Sequence, residues 1–295
     1  MGLTVRALKG WLKGIIPARQ KSFLKRRIRR QRLNNIRARE GHVSLDEFEA
    51  ALLKLGLKES QTIFLHSSAD WLRSVEGGAI QVLKVIQKIL GVRGTLAMPA
   101  FPFEGLAIEY LETQTFDQRK TPSKMGLLTE FFRRMPEVRR SLHPTHSVCA
   151  IGRFSDYLTD GHHLDSRPFG ENSPFARLEE KSASILMLGI NTDFLTHVHV
   201  VEDRMGSDFP VQVYLPNVVQ TSAYDLDGNS VSLDTLVHNP EVSRLKYISR
   251  YEGHWEKDGV LKRSKLGHIE LRLLDAVSLT NHLITQAQRG ITIYG

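Results

Sequence analysis

Short apolar runs of strand length alternate with amphipathic helical patterns from about residue 44 onward. The runs TIFLHS (62–67) and ASILMLGI (183–190) are typical of buried strands, whereas GGAIQVLKVIQKIL (77–90) has apolar residues at helical spacing. In the run SLDEFEAALLKLGL, Ser44 and Glu47 have the spacing of a capping box, which predicts that a helix begins there. This alternation predicts an α/β fold, in which helices flank a central sheet.

The pattern changes beyond residue 210 to a shorter alternation of polar and apolar residues. The turn sequence DLDGN (Asp225–Asn229) lies within it, which predicts a smaller antiparallel β region in the C-terminal third. The run DAVSLTNHLITQAQ (275–288) predicts a closing helix. Because the chain has no internal repeat and no linker long enough to separate two domains, residues 44–295 are predicted to form one domain.

The positive charge of the chain is concentrated before this domain. Residues 1–40 contain 13 lysines and arginines and one acid, a net charge of +12, whereas the remaining residues carry −4. Leu8, Trp11, Leu12 and Ile15 recur at helical spacing among basic residues, so residues 1–43 are predicted to form a basic amphipathic helical extension. Such a segment could contact an anionic membrane surface, remain solvated or pack on a partner; nucleic-acid binding is less favoured because no aromatic platform accompanies the charge.

Composition restricts the class of protein further. The single cysteine, Cys149, excludes an intramolecular disulfide and a cysteine-based zinc cluster. No apolar stretch approaches the roughly 20 residues that span a bilayer. The sequence therefore predicts a cytoplasmic protein, which the basic extension could bring to the inner face of the membrane.

The stretch FLHSSADWLRSVEGGAIQVL has the features of a site for a phosphate or a cofactor. A strand ends at His66, the small residues Ser67 and Ser68 permit close approach of a ligand, and a helix begins near Gly77 and Gly78. The stretch is neither a Walker A loop nor a GxGxxG fingerprint, and an ordinary turn before a helix has the same appearance.

The stretch THVHVVED (196–203) places ionisable residues directly after an apolar strand. His197 and His199, together with Glu202 and Asp203, could bind a metal ion. A catalytic pair of one histidine and one carboxylate is an equal alternative, and buried histidines held by hydrogen bonds are a third.

Six stretches occur in an order and spacing that resemble the aminoglycoside 3-N-acetyltransferase family. The resemblance covers roughly residues 44–289, and the extension has no counterpart in the family pattern. It implies an α/β fold with a mixed central sheet, acetyl-CoA as the donor, an amine as the acceptor and no metal. The stretches are FLHSSADWLRSVEGGA, GTLAMPAF, RRSLHPTHSVCAIG, HLDSRPFGENSPFARL, ILMLGI and THVHVVE.

The resemblance also implies a catalytic mechanism. The family motif T-x-x-H-x-x-E corresponds here to Thr196, His199 and Glu202, which one helical turn would place on the same face. His199 becomes the candidate general base that removes a proton from the acceptor amine, and Glu202 would orient its ring. Acetyl transfer would be direct, with Cys149 a packing residue.

Further residues are implied around the two substrates. The cofactor is expected to contact the cradle of His66, Ser67, Ser68, Gly77 and Gly78, together with Arg140, Ser141, His143 and Ser147. The acceptor is expected near His163, Gly170, Ser173 and Asp203.

The predicted function is N-acetylation of a small-molecule amine, either a nucleotide-linked or lipid-linked amino sugar or an aminoglycoside. The amino sugar is favoured because a polycationic aminoglycoside would require a dense acidic pocket, whereas the body of the protein carries only −4. Two alternatives remain: a metal-dependent hydrolase that uses His197, His199 and Asp203, and a protein that binds nucleic acid through residues 1–40.

Overall fold

A computed structural model describes residues 42–295, of which Val43–Gly295 form one compact unit. The basic amphipathic helix predicted for residues 1–43 falls almost wholly outside the described residues. Within the described part of the chain, no helix is both long enough and apolar enough to cross a membrane.

A seven-stranded mixed sheet forms the centre of the unit, as the resemblance implies. Its central strand is parallel to the neighbours on both sides, and every other pairing in the sheet is antiparallel. In spatial order the strands are β4 (Arg139–Arg140), β5 (Val148–Gly152), β2 (Thr95–Pro99), β1 (Thr62–Ser67), β6 (Ser184–Leu188), β10 (Ile269–Asp275) and β9 (Leu261–Leu266).

A second, three-stranded sheet differs in part from the antiparallel region predicted for the C-terminal third. Its strands β7 (Val219–Tyr224) and β8 (Ser230–Thr235) form the expected antiparallel hairpin around the turn at Asp225–Asn229. The third strand, β3 (Phe116–Asp117), comes from much earlier in the chain and is parallel to β7. A two-residue strand is too short to produce an alternating pattern, so the sequence contains no signal for it.

Two helices have the N-terminal boundaries that the local sequence predicts. The Ser44 side chain accepts a hydrogen bond from the Glu47 backbone N–H, and the Glu47 carboxylate accepts one from the Ser44 backbone N–H, which confirms the capping box. The predicted closing helix begins after Asp275, whose side chain caps it. The helices are α1 (Leu45–Leu55), α2 (Gly78–Leu90), α3 (Ala107–Thr113), α4 (Leu127–Arg133), α5 (Ser155–Thr159), α6 (Pro174–Glu180), α7 (Val200–Met205), α8 (Pro240–Ser243), α9 (Glu252–Lys257) and α10 (Ala276–Ala287).

Both faces of the large sheet are buried, which explains the nearly continuous apolar runs of its strands. Successive side chains of a strand point to opposite faces, so Phe64 and Met187 join one apolar cluster, while Ile63, Leu65 and Leu186 join the other. The ends of β1 and β6 are therefore fixed in three dimensions by packing on two sides.

The loops that follow β1 and β6 are joined directly to each other. Ser68 Oγ donates to the Gly189 carbonyl oxygen at 2.7 Å, and Trp71 Nε1 donates to the Leu188 carbonyl oxygen at 2.9 Å. Gly189 has φ +60°, and a Cβ atom there would lie 2.3 Å from Trp71 Cδ1, so the close approach requires glycine. This edge of the sheet therefore positions the cradle stretch that follows β1 and the stretch THVHVVED that follows β6.

Candidate active site

The stretch THVHVVED forms a short 3₁₀ helix, Thr196–His199, that continues directly into α7. Residues three apart face the same side of such a turn, and His199 Nδ1 lies 2.8 Å from Glu202 Oε1. Thr196 does not join this pair: its Oγ1 is buried and has no hydrogen-bond partner among the described residues. The structure thus brings two of the three motif residues into contact.

Two further side chains hold the Glu202 carboxylate, and the sequence gives no local signal for either. Tyr294 donates its hydroxyl hydrogen to Glu202 Oε1 at 2.6 Å, and His238 Nε2 lies 2.9 Å from Oε2. Burial by itself would raise the pKa of Glu202, but its interactions with His199 and His238 outweigh burial and hold the pKa well below its usual range. Glu202 is therefore ionised and fixed in position.

The ionised carboxylate determines the proton position on His199. A carboxylate only accepts hydrogen bonds, so Nδ1 of His199 carries the hydrogen and Nε2 keeps a lone pair. Burial lowers the pKa of His199 to about 4, although Glu202 acts in the opposite direction. The His199 side chain is 10% exposed, so at neutral pH the site presents a neutral imidazole with a free basic nitrogen.

Three imidazole rings surround Phe169, and we call His146, His199 and His238 the imidazole cluster. The ring centre of Phe169 lies 5.0 Å from that of His146, 5.1 Å from that of His199 and 5.8 Å from that of His238. The ring centres of His199 and His238 are 4.7 Å apart, and the two rings contact different oxygens of the Glu202 carboxylate. The cluster is a densely packed arrangement in which His199 has little freedom to rotate.

Asp203 holds the loop that carries Phe169. Its carboxylate accepts hydrogen bonds from the Tyr214 hydroxyl at 2.8 Å and from the Phe169 backbone N–H at 2.9 Å, and burial raises its pKa to about 6. The Arg167 guanidinium donates to the Asp203 carbonyl oxygen at 3.0 Å. Asp203 is buried, and each of its carboxylate oxygens has a hydrogen-bond partner within the protein.

The remaining residues predicted near the acceptor shape the same loop. Ser173 is fully buried and caps α6, because its Oγ accepts from the Ala176 N–H at 3.1 Å. A Cβ atom on Gly170 would lie 2.1 Å from Asp165 Oδ2, so a larger residue there would displace the Asp165 side chain. His163 is partly buried, and its Nδ1 has no partner among the described residues.

Arg140 and Ser147, both predicted near the cofactor, use their polar groups inside the protein. The Arg140 guanidinium donates to the carbonyl oxygens of Ala100 at 2.7 Å and Thr121 at 2.5 Å, and to Ser147 Oγ at 3.1 Å. Ser147 Oγ in turn donates to the Ala100 carbonyl oxygen at 2.8 Å. Burial lowers the pKa of Arg140 to about 10. These contacts connect the loop after β2 to β4.

Ser141 fixes a histidine that the family pattern does not include. Ser141 Oγ accepts from the Val148 N–H at 2.9 Å and lies 2.9 Å from His162 Nδ1, and His162 Nε2 lies 2.9 Å from the Pro168 carbonyl oxygen. A carbonyl oxygen only accepts, so His162 donates through Nε2 and accepts from Ser141 through Nδ1. His162 is therefore a fully buried structural residue.

His143 has an unused hydrogen-bond donor. Its Nδ1 accepts from the backbone N–H groups of Thr145 at 3.2 Å and His146 at 3.0 Å, which places the ring hydrogen on Nε2. This Nε2 is buried and has no partner among residues 42–295. Because buried donors are nearly always paired, His143 is a candidate to bind an oxygen atom of a ligand.

The residues of the predicted cofactor cradle use most of their polar groups within the protein. Ser67 Oγ donates to the Ser68 carbonyl oxygen at 2.8 Å, and the Gly78 N–H donates to the Val75 carbonyl oxygen at 3.1 Å. Gly77 precedes α2 with φ +66° and has no capping side chain. His66 Nε2 is buried without a partner among the described residues, and burial together with the nearby His197 lowers the pKa of His66 to about 3. Of the cradle side chains, His66 alone keeps an unused polar atom.

The three metal ligands of the hydrolase alternative are not brought together, which corrects that expectation. His197 Nε2 faces Glu179 Oε1 at 3.1 Å, whereas His199 binds Glu202 and Asp203 binds Tyr214. In the described part of the chain, the group whose donor atoms lie within 4.8 Å is instead His199, Glu202 and His238. Hydrogen bonds from both histidines and from Tyr294 already occupy the oxygens of that glutamate.

The buried histidines predict a stability that falls in acid. A histidine whose folded pKa lies below its unfolded value of about 6.5 binds fewer protons when folded, so stability is lost as pH falls below about 6.5. Asp203 acts oppositely, because its raised pKa favours the folded state at lower pH. We expect the free energy of unfolding, measured with urea, to fall by about 3 kcal/mol or more between pH 7 and pH 5; equal stability at both values would contradict this. The histidines are His66, His143, His146, His162 and His199.

Comparison with known proteins identifies the family. A model of the aminoglycoside 3-N-acetyltransferase family matches residues 64–287. Aminoglycoside N(3)-acetyltransferase III of Salmonella sp. is 30% identical over 262 residues, covering 81% of this chain and 89% of that protein. The prophage-derived aminoglycoside N(3′)-acetyltransferase-like protein YokD of Bacillus subtilis (strain 168) is 31% identical over 171 residues, covering 52% of this chain and 62% of YokD.

Solved structures have the same fold. The aminoglycoside acetyltransferase AAC(3)-Xa superimposes with a TM-score of 0.76 at 22% identity, covering 89% of this chain and 99% of that one. AAC-IIIb, solved with CoASH, gives a TM-score of 0.71 at 22% identity, covering 85% of this chain and 98% of that one. The chain therefore belongs to the aminoglycoside 3-N-acetyltransferase family, a family of acetyl-CoA-dependent acetyltransferases.

Proposed function

We propose that the chain transfers the acetyl group of acetyl-CoA to a primary amine of an amino sugar or aminoglycoside, with His199 as the general base. The observation that carries the proposal is the His199–Glu202 pair, in which the carboxylate fixes the ring and leaves Nε2 free. Relatives that are named aminoglycoside N(3)-acetyltransferases support an amine on a sugar-like ring as the acceptor.

The reaction needs a proton acceptor because an ammonium group has no lone pair. His199 Nε2 removes a proton from the bound ammonium, and the neutral nitrogen attacks the thioester carbonyl carbon. The C–N bond forms and the C–S bond breaks as the tetrahedral intermediate collapses. Of the two protons lost by nitrogen, one goes to the CoA thiolate and the other to solvent. Glu202 stabilises the transient imidazolium, while Tyr294 and His238 hold Glu202.

His143 is the proposed donor to the thioester oxygen. Its neutral ring has a fixed hydrogen on Nε2, and a donor fixed before the reaction stabilises developing negative charge without reorganisation. Arg140, Ser141 and Ser147 then act by positioning this loop. A nucleophilic role for Cys149 is disfavoured, because its thiol is fully buried and burial raises its pKa to about 12.

The cofactor and the acceptor are proposed to bind to different loops. Acetyl-CoA would bind the cradle of His66, Ser67, Ser68, Gly77 and Gly78. This cradle lies where β1, the loop after it and α2 meet, which supports the assignment. The acceptor would lie against the loop that contains His163, Gly170 and Ser173, because that loop carries Phe169 to the imidazole cluster. Residues 1–40 are proposed to contact an anionic membrane surface through their net charge of +12.

Free-thiol release from acetyl-CoA tests the proposed function. We expect release that depends on an added amine when the full-length protein is assayed with aminoglycosides, amino sugars and nucleotide-linked amino sugars. His199→Ala should abolish most of it, and His254→Ala, which removes an exposed histidine, should not. Acceptor-independent release, or none with any amine, would refute the proposal.

A further inference from the structure

A lysine lies beside the imidazole cluster and takes no part in the mechanism. Lys246 is half-buried, and its ammonium group is close enough to His146 and His199 to disfavour their protonation. The same ammonium also interacts electrostatically with the carboxylates of Glu202 and Asp193. The positive charge therefore lies within electrostatic range of the proposed base.

Neither carboxylate neutralises Lys246 by direct contact. The oxygens of Glu202 accept from His199, His238 and Tyr294. Asp193 Oδ1 accepts from the backbone N–H groups of residues 248 and 249 at 3.0 and 2.9 Å, and Oδ2 accepts from the Ser249 hydroxyl at 3.2 Å. Across residues 42–295, the Lys246 ammonium has no hydrogen bond and no ion pair within 4.0 Å.

The segment that carries Lys246 is anchored on both sides of it. The Tyr247 N–H donates to the Ile293 carbonyl oxygen at 2.8 Å, immediately before Tyr294, which holds Glu202. The Lys246 N–H donates to the Ser243 carbonyl oxygen at 3.3 Å. The backbone of Lys246 is thus fixed relative to the catalytic pair.

A half-buried cation without a partner is unfavourable in a free protein. A buried ammonium loses hydration energy, and an ion pair normally offsets that loss. Here burial lowers the pKa of the Lys246 ammonium. An anionic group of a ligand would supply the missing partner through charge-assisted hydrogen bonds. A polycationic acceptor would instead be repelled by the same charge.

We propose that Lys246 forms a subsite for an anionic group, most simply a phosphate, of a ligand bound beside His199. The inference rests on the proposed function, because it refines which substrate this site accepts. Two sources have this chemistry: a phosphate on an amino-sugar acceptor and a phosphate of acetyl-CoA. Exposed Leu245 and Tyr247 flank the lysine and provide apolar surface for a sugar ring or a base.

Kinetics of Lys246→Met distinguish the two sources. For an acceptor phosphate, the variant should raise KM for a phosphorylated amino sugar about 10- to 100-fold and leave KM for the unphosphorylated sugar and for acetyl-CoA within twofold. For a cofactor phosphate, KM for acetyl-CoA should rise by that factor with either acceptor. Lys84→Met, which removes an exposed lysine of α2, is the matched control. Unchanged KM values for all three compounds would overturn the subsite.

A binding measurement separates this inference from the proposed function. If no amine supports thiol release, the transferase proposal fails, but the subsite is still tested by calorimetric binding of inorganic diphosphate and of CoA to the full-length protein. Weakening of either affinity by tenfold or more in Lys246→Met, but not in Lys84→Met, supports the subsite. Equal affinities in the wild type and both variants would refute it.

Discussion

Replacing His199 with alanine should lower kcat for acetyl transfer by about 10²- to 10⁴-fold, because the acceptor ammonium loses the group that removes its proton. KM for acetyl-CoA should change little, since the proposed acetyl-CoA cradle lies on other loops. The measurement is steady-state kinetics of thiol release at pH 7.

Glu202→Gln tests the same mechanism and should give a smaller loss of activity than His199→Ala. The amide retains an oxygen that can accept from His199, but it no longer stabilises an imidazolium, so the loss in kcat should be smaller than for His199→Ala. His254→Ala should retain full activity, as an exposed histidine outside the site. A His199→Ala enzyme within threefold of the wild-type kcat would contradict the assignment of the base.

Replacing Arg140 with methionine should lower the free energy of unfolding by about 3 kcal/mol, because the variant removes the hydrogen bonds that the buried guanidinium donates to Ala100, Thr121 and Ser147. Ala100 and Arg140 are buried, and the Ala100 carbonyl oxygen would keep the Ser147 hydroxyl as a donor in the variant. Urea unfolding at pH 7 measures the loss.

The neighbouring arginine is the matched control for Arg140. Arg139 is exposed and pairs with the exposed Asp156 at 2.9 Å, so Arg139→Met should cost less than about 1 kcal/mol. Equal losses for the two variants would contradict the structural role. Unchanged stability of Arg140→Met together with a raised KM for acetyl-CoA would instead make Arg140 a cofactor-binding residue.

The sequence predicts elements whose signals are local. The capping box at Ser44, the apolar strands and the turn at Asp225–Asn229 each depend on a few neighbouring residues, and the structure confirms them. The contact of His199 with Glu202 also arises within a single turn. Such features need no knowledge of the rest of the chain.

The partners of Glu202 depend on the tertiary fold instead. His238 lies 36 residues from Glu202 and Tyr294 lies 92, and neither belongs to a motif. Both become neighbours of α7 only when the fold assembles. The unpaired charge of Lys246 is equally invisible in the sequence, because the absence of an ion pair is a property of the surroundings.

His197 shows why the motif alone leaves three alternatives. Residues two apart in a tight helical turn point in different directions, so His197 faces Glu179 while His199 faces Glu202. Thr280 and Arg204 also donate to Glu179, which makes His197 part of a buried structural network. The spacing H-x-H is compatible with a metal site on a strand, but the helical backbone separates the two rings.

The pH dependence of the defect in His199→Ala tests the general base most directly. As pH rises toward the pKa of the acceptor amine, more of the amine is already neutral and the base becomes dispensable. For an acceptor amine whose pKa lies above 9, the ratio of wild-type to variant kcat/KM should therefore fall about tenfold per pH unit between pH 7 and pH 9. A ratio that stays constant over this range would show that His199 does not remove the proton.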